Sequence, residues 1–404
     1  MKRGYLSEYF THVATKRLSA VEAHPHRSNQ HEFNGDKGLK GMFGTDRKTY
    51  GTTFIYLSDD DPEPITERST LTWYDARENH PIRTEFRLYF PTTNVSSNAN
   101  EGDLLVIGRR PDNSILLIIA EAESTIENQI LWLFGFSDLT HPGFSVKGEL
   151  ESDQVRLEFA SRYILEQIGI EVQTTDENYL EQMLEKFDGS FPTTRIFSEY
   201  ARSTISDIDL TGSADEIIMA WLEREEVLFR TLERHIIGDR LRQGFDDDVD
   251  SFVSYSLSVQ NRRKSRAGGS LENHLEQIFK IKNISYSRTA ITENRNKPDF
   301  IFPDIASYHN PAFPEELLSM LGAKSTCKDR WRQILPEANR INNKHLFTLE
   351  PGISENQTNE MISKNVQLVL PSSIHSSYSA SQQDWIINLD TFIHLLYNRQ
   401  TSNS

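Results

Sequence analysis

Cysteine is almost missing from this 404-residue chain. Cys327 stands alone, so no intramolecular disulfide can form and no cysteine-based zinc cluster can be built. Long apolar runs are missing as well. The longest aliphatic run, ILLIIA at 115–120, has six residues, far short of the ~20 that a membrane span needs. The first seventeen residues, MKRGYLSEYFTHVATKR, interrupt their apolar positions with charge and so contain no signal-peptide core. A soluble, cytoplasmic protein with no membrane contact is expected. Positive charge is in the minority: 43 Lys and Arg stand against 59 Asp and Glu, a net charge of −16. Taken as a sum, that argues against nucleic acid, whose phosphates are held by Lys and Arg. No internal repeat and no low-complexity tail is present. What is there is a polar but foldable composition, 37% hydrophobic and 10% aromatic, long enough for two or three domains at about 150 residues each.

Two styles of patterning divide the chain. Over residues 1–140, TTFIYLS, LTWYDA, TEFRLYF, GDLLVIGRR and SILLIIAEAES are short β-branched or aromatic runs. Turn-rich stretches such as DDDPEP and TNVSSNANEGD separate them, as in a barrel or sandwich. GDLLVIGRR and SILLIIAEA form a candidate hairpin with PDNS as its turn. From Ser152 the period becomes helical, in SDQVRLEFASRYILEQIGIE and again in SADEIIMAWLEREEVLFRTLERHIIGDRL. TTDEN and DGSFPTT make 174–195 the candidate linker, between a mostly-β domain over 1–173 and an α/β domain over 196–404. The second domain is expected to run helix 270–280, strands near 298–302 and 319–325, helix 328–342, and strands near 345–349 and 366–370.

Charge is unevenly spread. Residues 261–350 contain fifteen basic and ten acidic residues, a local +5 that leaves −21 for the remainder. Distribution matters more than the sum for a nucleic-acid partner, and this one permits a DNA-binding cleft. Within residues 261–350, KSTCKDRWRQ at 324–333 gathers four cations and holds an aspartate in their midst.

The candidate chemistry lies around that stretch. KPDFIFP places Asp299 at the start of an apolar strand, LLSMLGAKSTC places Lys324 at the end of another, Glu337 follows, and Glu272 lies on the earlier helix SLENHLEQIF. Hard carboxylate oxygens to hold Mg²⁺ and a lysine to orient the attacking water are what metal-dependent phosphodiester hydrolysis requires. Spacing alone does not select this reading. Asp299 could equally cap a turn, Lys324 end a strand in solvent, and Glu337 pair with Arg340 one turn on. Cys327 reads as a packed residue. NQHEFNG lacks the second histidine of a zinc helix, and SRAGGS lacks the terminal Lys-Ser/Thr of a phosphate loop. Pro336 directly before Glu337 means that the helix at 328–342 either kinks or ends early.

Taken together, SVQNRRKSRAGGSLENHLEQIF, NKPDFIFP, SYHNPAFPEELLSMLGAKSTCKDRWRQILPEA and HLFTLEPGIS resemble the catalytic domain of the EcoRII-type restriction endonucleases, from about Val253 to Ser372. The resemblance implies a PD-(D/E)xK nuclease fold whose second acid is displaced onto the next helix. Position 322 is Gly, and Glu337 takes the role of the missing carboxylate. Asp299, Lys324 and Glu337 are then the catalytic set, with Glu272 accessory and Asp299 and Glu337 as Mg²⁺ ligands. In this family the segment after the catalytic lysine enters the major groove. Lys328 and Arg330 suit guanine O6 and N7, and Asp329 can accept from cytosine N4, so an acid amid cations fits a C beside a G. Arg332 and Arg262 are further expected contacts, and Trp331 is expected to pack.

The N-terminal part resembles the family's effector domain more faintly, a DNA-binding pseudobarrel that binds a second site and restrains the catalytic domain. Lys16, Arg17, Arg77, Arg83 and Arg87 are the contacts this implies, each with a solvated-face reading beside it; HPHRSNQHEFNG has no place in that pattern. The expected activity is Mg²⁺-dependent cleavage of double-stranded DNA at a CC-x-GG-like site (CCWGG or CCNGG) before the outer cytosine, by a homodimer. Two alternatives stand beside it: an N-domain that reads modified cytosine, and a non-catalytic DNA-binding protein.

Overall fold

The computed structural model describes residues 6–24, 31–61, 63–136, 139, 142–148, 159–170, 176–206 and 208–402. They form two compact units. One comprises Met1–Val172 with Gly352–Ser354, the other Gln173–Pro351 with Glu355–Ser404. Helices of eight or more residues are numbered below.

The first unit is one curled sheet of eight strands: β1 (His12–Arg17), β2 (Glu32–Asn34), β3 (Lys48–Leu57), β4 (Ile65–Asp75), β5 (Phe86–Tyr89), β6 (Leu104–Arg109), β7 (Ile115–Ala120) and β8 (Ser145–Gly148). The order is β2-β5-β4-β3-β7-β6-β1-β8, and only β3 and β7 pair in parallel. β6 and β7 form the expected hairpin, with Asn113 in the left-handed region of its turn (φ 68°). Unbroken aliphatic strands belong in a sheet covered on both faces, and the alternation bears this out. Leu105, Ile107, Leu117 and Ile119 enter the cluster that holds Phe33, Trp73 and Leu88. Leu104, Val106, Leu116 and Ile118 face the opposite cluster, beneath α1 (Thr125–Leu133) and α2 (Phe159–Gln167). The edge strands approach each other where Phe33 meets Phe144 edge-on at 6.2 Å. The expected Ser152 cap lies outside the described residues, as do 25–30 of HPHRSNQHEFNG.

The second unit holds α3 (Leu180–Phe187), α4 (Thr194–Ser203), α5 (Ala214–Gln243), α6 (Val249–Ile281), α7 (Glu355–Ser363) and α8 (Leu389–Thr401). Its sheet comprises β9 (Ser287–Arg288), β10 (Phe300–Phe302), β11 (Ser319–Lys324), β12 (Lys344–Thr348) and β13 (Val366–Val369). The order is β13-β12-β11-β10-β9; β11, β12 and β13 are parallel, β9 and β10 antiparallel. Phe279 of α6 packs edge-on against Phe300 and Phe302, and Phe392 of α8 against Phe302.

Three sequence expectations change here. The described part of the candidate linker carries α3, whose Met183 and Phe187 are buried with Phe197, Leu228 and Phe229, so its described residues pack into the second unit's helical core. The helix expected at 270–280 begins at Val249. The helix expected at 328–342 is a 3-10 turn over Lys328–Ile334. Pro336 has no amide proton and clashes one turn back, so the coil stops before it instead of kinking.

Candidate active site

Asp299 immediately precedes β10, whose antiparallel register with β11 pairs Phe300 with Leu321. Strand pairing thus brings Asp299 to the end of β11. Its Oδ2 accepts from the Ala323 backbone N–H at 2.7 Å and from Lys324 Nζ at 2.8 Å, while Oδ1 accepts no hydrogen bond from a described residue. A backbone donor and a charge-assisted bond on the same oxygen fix the carboxylate in one orientation.

Position 322 has no room for an acid. A Cβ there would lie 2.7 Å from Ile334 Cγ2, so the 3-10 turn closes down on the strand only because the residue is Gly. The second carboxylate arrives from the turn beyond. Glu337 Oε2 is buried and has no hydrogen-bond partner among the described residues. Desolvation and the neighbouring Asp299 charge push the Glu337 carboxyl up to about 7, with Lys324 and Lys344 opposing.

The backbone around Glu337 is tightly held. Ala338 adopts φ +48°, a left-handed conformation unfavourable for a residue with a Cβ. Lys344, buried at the start of β12, donates from Nζ to the carbonyls of Glu337 (2.6 Å), Ala338 (3.1 Å) and Ile341 (2.9 Å). All three of its ammonium donors are thereby used. Asn296 Nδ2 donates to the Pro336 carbonyl at 2.7 Å, and Glu293 accepts from the Asn339 N–H at 3.2 Å. Arg340 does not pair with Glu337; its guanidinium reaches Glu315 and the Asn310 carbonyl.

Glu272, on α6, faces the same centre. Desolvation, followed by the Asp299 charge, raises its carboxyl. Arg288 of β9 holds it at 2.9 Å, and the same guanidinium donates to Glu276 at 2.7 Å and Asn273 Oδ1 at 2.9 Å. Burial opposes the Arg288 charge, but the two glutamates raise it on balance.

No group of three or more His, Cys, Asp or Glu among the described residues forms a metal cage. Asp299 and Glu337 nevertheless suit a hard cation: one offers an open Oδ1, the other a buried oxygen without a donor. Mg²⁺ is commonly held by one or two carboxylates, its remaining positions filled by water and substrate phosphate.

The segment after Lys324 is anchored at its start. The Cys327 N–H donates to the carboxylate of buried Glu350, whose own carbonyl accepts from Tyr378 Oη at 2.6 Å. The Cys327 thiol is fully buried, and desolvation raises it well above its ordinary value, so it packs. Trp331 is also fully buried. The Arg330 side chain is exposed. Arg332 pairs with Glu360 at 2.6 Å. The Lys328 and Asp329 side chains lie outside the described residues.

Several expected DNA contacts, and the basic residues beside Arg262, already have partners. Arg262 lies over the Phe191 ring at 4.4 Å, Arg263 pairs with Glu233 at 2.8 Å, and Arg266 is buried against Glu225 at 2.8 Å. Much of the basic stretch 261–266 therefore serves packing between α5 and α6. In the first unit Lys16 is buried and bonded to Glu22 at 2.6 Å, and Arg17 pairs with Glu127. Arg77 and Arg87 share Glu85. Arg83 is exposed. Lys344, Arg288 and Glu350 were missed from sequence, because each resembles an ordinary charge at a strand end.

With this geometry in place, the chain can be set beside known proteins. Residues 229–393 match the family model described as EcoRII C terminal. The chain is 41% identical over 226 residues to the type II restriction enzyme EcoRII of Escherichia coli, covering 56% of this chain and 55% of that one. It therefore spans about half the length of this curated relative. The resemblance to EcoRII-type enzymes holds for the C-terminal region that carries Asp299, Lys324 and Glu337. Two solved structures are also similar. A metal-depleted Ecl18kI in complex with uncleaved, modified DNA has TM-score 0.46 and 18% identity, covering 57% of this chain and 87% of that one. A metal-depleted Ecl18kI with uncleaved DNA has TM-score 0.45 and 17% identity, covering 56% and 86%.

Proposed function

We propose that this protein is a Mg²⁺-dependent type II site-specific endonuclease that cuts double-stranded DNA. The observation that carries the reading is the Asp299–Lys324 pair at 2.8 Å, with a partnerless Glu337 oxygen in the same electrostatic field. It lies within residues 229–393, which match the family model described as EcoRII C terminal. The second unit is read as a PD-(D/E)xK nuclease domain with its second acid displaced, and the first as an effector pseudobarrel.

Asp299 and Glu337 would hold the cation, which when bound supplies a Lewis acid for the scissile phosphate and for the water beside it. Lys324, fixed by Asp299, places its ammonium where the attacking water and a non-bridging phosphate oxygen approach, orienting one and balancing charge on the other. Glu272, held by Arg288, adds negative charge and a second acceptor at the rim. Lys328, Asp329 and Arg330 would read the half-site of a CC-x-GG-like sequence, with cleavage before the outer cytosine by a homodimer. The first unit would hold a second copy of the site and restrain cleavage until it is occupied.

Digestion of unmodified and cytosine-methylated plasmid, with and without Mg²⁺ and with added site-bearing oligonucleotide, tests this. The expected result is discrete, Mg²⁺-dependent fragments from unmodified DNA, stimulated by the oligonucleotide. Cleavage restricted to methylated plasmid would make the first unit a reader of modification. Absence of cleavage under every condition would leave a non-catalytic DNA binder.

A further inference from the structure

The loop between β9 and β10 has two sets of side chains with different duties. One set is spent on the turn that presents Glu337. Asn296 Nδ2 donates to the Pro336 carbonyl at 2.7 Å, and Glu293 accepts from the Asn339 N–H at 3.2 Å. Thr292 Oγ1 accepts more weakly from the Ala338 N–H at 3.5 Å. The backbone on both sides of Glu337 is thus tied to a single loop. That loop is itself closed, because the Thr292 N–H donates to the Asn296 carbonyl at 2.9 Å. The hydroxyl of buried Tyr308 donates to the Glu293 carboxylate, 2.7 Å from either oxygen. A displacement of the loop is therefore passed to the backbone that carries Glu337.

The other set is Arg295 and Lys297. Both are exposed, and neither makes an ion pair with a described residue. By contrast Arg266, Arg288, Arg340 and Lys344 of the same basic region are turned to carboxylates or carbonyls. Asn294 (φ 56°) and Arg295 (φ 62°) are both left-handed, a conformation that a residue with a Cβ adopts only at a cost. Strain of this kind gathers where a site needs one particular geometry. Arg295 lies four residues before Asp299, so its Cα stands no more than about 14 Å from that of the proposed cation ligand. Phosphates of one DNA strand recur about every 3.4 Å of helix axis. A strand whose scissile phosphate meets the cation therefore runs neighbouring phosphates past this loop, and a guanidinium offers a phosphate two parallel N–H donors.

We propose that Arg295, with Lys297 beside it, binds a phosphate flanking the scissile one, and that the loop passes this contact through Asn296 and Glu293 to set Glu337. Arg295 is then a substrate-binding residue, and Asn296 is a positioning residue that touches no DNA. Buried Lys344 holds the same turn whether or not DNA is present; the loop adds a hold that DNA can reach. This rests on the endonuclease reading above and extends it to how substrate completes the centre.

Two measurements on the whole protein test it, one of them independent of cleavage. Binding to a CCTGG duplex and to a duplex without that site is followed by fluorescence anisotropy across a salt series, without metal. Arg295→Ala should weaken both about five- to tenfold and make the slope of log K against log[salt] shallower by about 0.9, the loss of one phosphate. Asn296→Ala should bind both within about twofold of native, since it contacts no phosphate. In single-turnover cleavage at saturating DNA each variant should be slower by about tenfold or more, because a slightly misplaced catalytic group is costly. Each should also need more Mg²⁺ for half its maximal rate. The double variant should be within about threefold of the slower single one, because both break one connection. Arg295→Lys should keep the salt slope and most of the rate. Arg295→Gly should lose both yet resist urea at least as well as native, since glycine accepts the left-handed backbone without strain. An unchanged salt slope in Arg295→Ala would overturn the phosphate contact. A native saturating rate in that variant, or multiplied losses in the double one, would overturn the coupling. Should Asn296→Ala not fold, the exposed Arg295 variants still decide both points. A native chain that cleaves nothing would remove the endonuclease reading and the coupling with it, whereas the salt slope would still test the phosphate contact.

Discussion

Replacing Glu337 by glutamine should raise the stability of the metal-free protein at pH 8 and leave it unchanged at pH 4. The carboxyl sits near about 7 in the folded chain against an ordinary 4.5, because burial and Asp299 disfavour its charge. A carboxyl raised on folding favours the folded state fully below 4.5, and that contribution is lost as pH climbs through about 7. At pH 8 the native protein must keep an ionised, half-buried carboxylate beside another. The interval, at about 1.36 kcal/mol per pH unit, amounts to roughly 3 kcal/mol, of which about 1–2 kcal/mol survives solvent screening of a half-exposed group. Glutamine keeps the shape and discards the charge. Urea unfolding in EDTA at both pH values measures the difference, and a thermal midpoint higher by about 2–6 °C at pH 8 should accompany it. Mg²⁺ should narrow the gap by stabilising the native protein selectively. A glutamine variant less stable at pH 8, or one shifted equally at both pH values, would refute the placement of Glu337 beside Asp299.

Asp299→Ala and Lys324→Ala should each abolish cleavage while leaving specific DNA binding within a few-fold of native, measured by gel shift in Ca²⁺; appreciable Mg²⁺-dependent cutting by either would dismiss the centre. Arg330→Ala should lose about 1–3 kcal/mol of discrimination at one base pair, read by titrating single-base variants of the site. Equal weakening on every variant would make Arg330 a phosphate contact. Lys344→Met leaves three carbonyls without a donor and should cost about 2–4 kcal/mol in urea unfolding, and a change below about 0.5 kcal/mol would show that the turn around Glu337 holds itself.

Strands β3 to β7 and β10 to β13 were legible because their signals are local, whereas β1, β2, β8 and β9, short or broken by charge, were not read. TTFIYLS, LTWYDA and LLSMLGAK carry β-branched and aromatic residues between turn residues, and the structure has β3, β4 and β11 there. Asp299 and Lys324 were legible as a pair, since one opens an apolar run and the other closes one. Failures came where tertiary context decides. The polar composition of 174–195 reads as linker, but Met183 and Phe187, four residues apart, are enough to dock α3. Charge density misled over 261–266, because a guanidinium stacked on phenylalanine reads in sequence like one in solvent. Nothing near Lys344 announces three carbonyl partners, which come from a turn that folds back on it.

Gly322 has a consequence for fidelity. In a nuclease whose two acids both stand on the sheet, the cutting centre is complete whether or not the DNA-reading segment is seated. Here Ile334 fills the space beside Gly322, and the second acid lies only seven residues beyond Arg330 on the same covalent stretch. On the function proposed above, a mismatched base that displaces the segment around Arg330 would strain the turn that presents Glu337, and with it the seat proposed for the cation. On that reading selectivity would show as a fall in turnover on wrong sequences beyond any loss of binding, because the proposed reading residues and Glu337 lie on one piece of backbone.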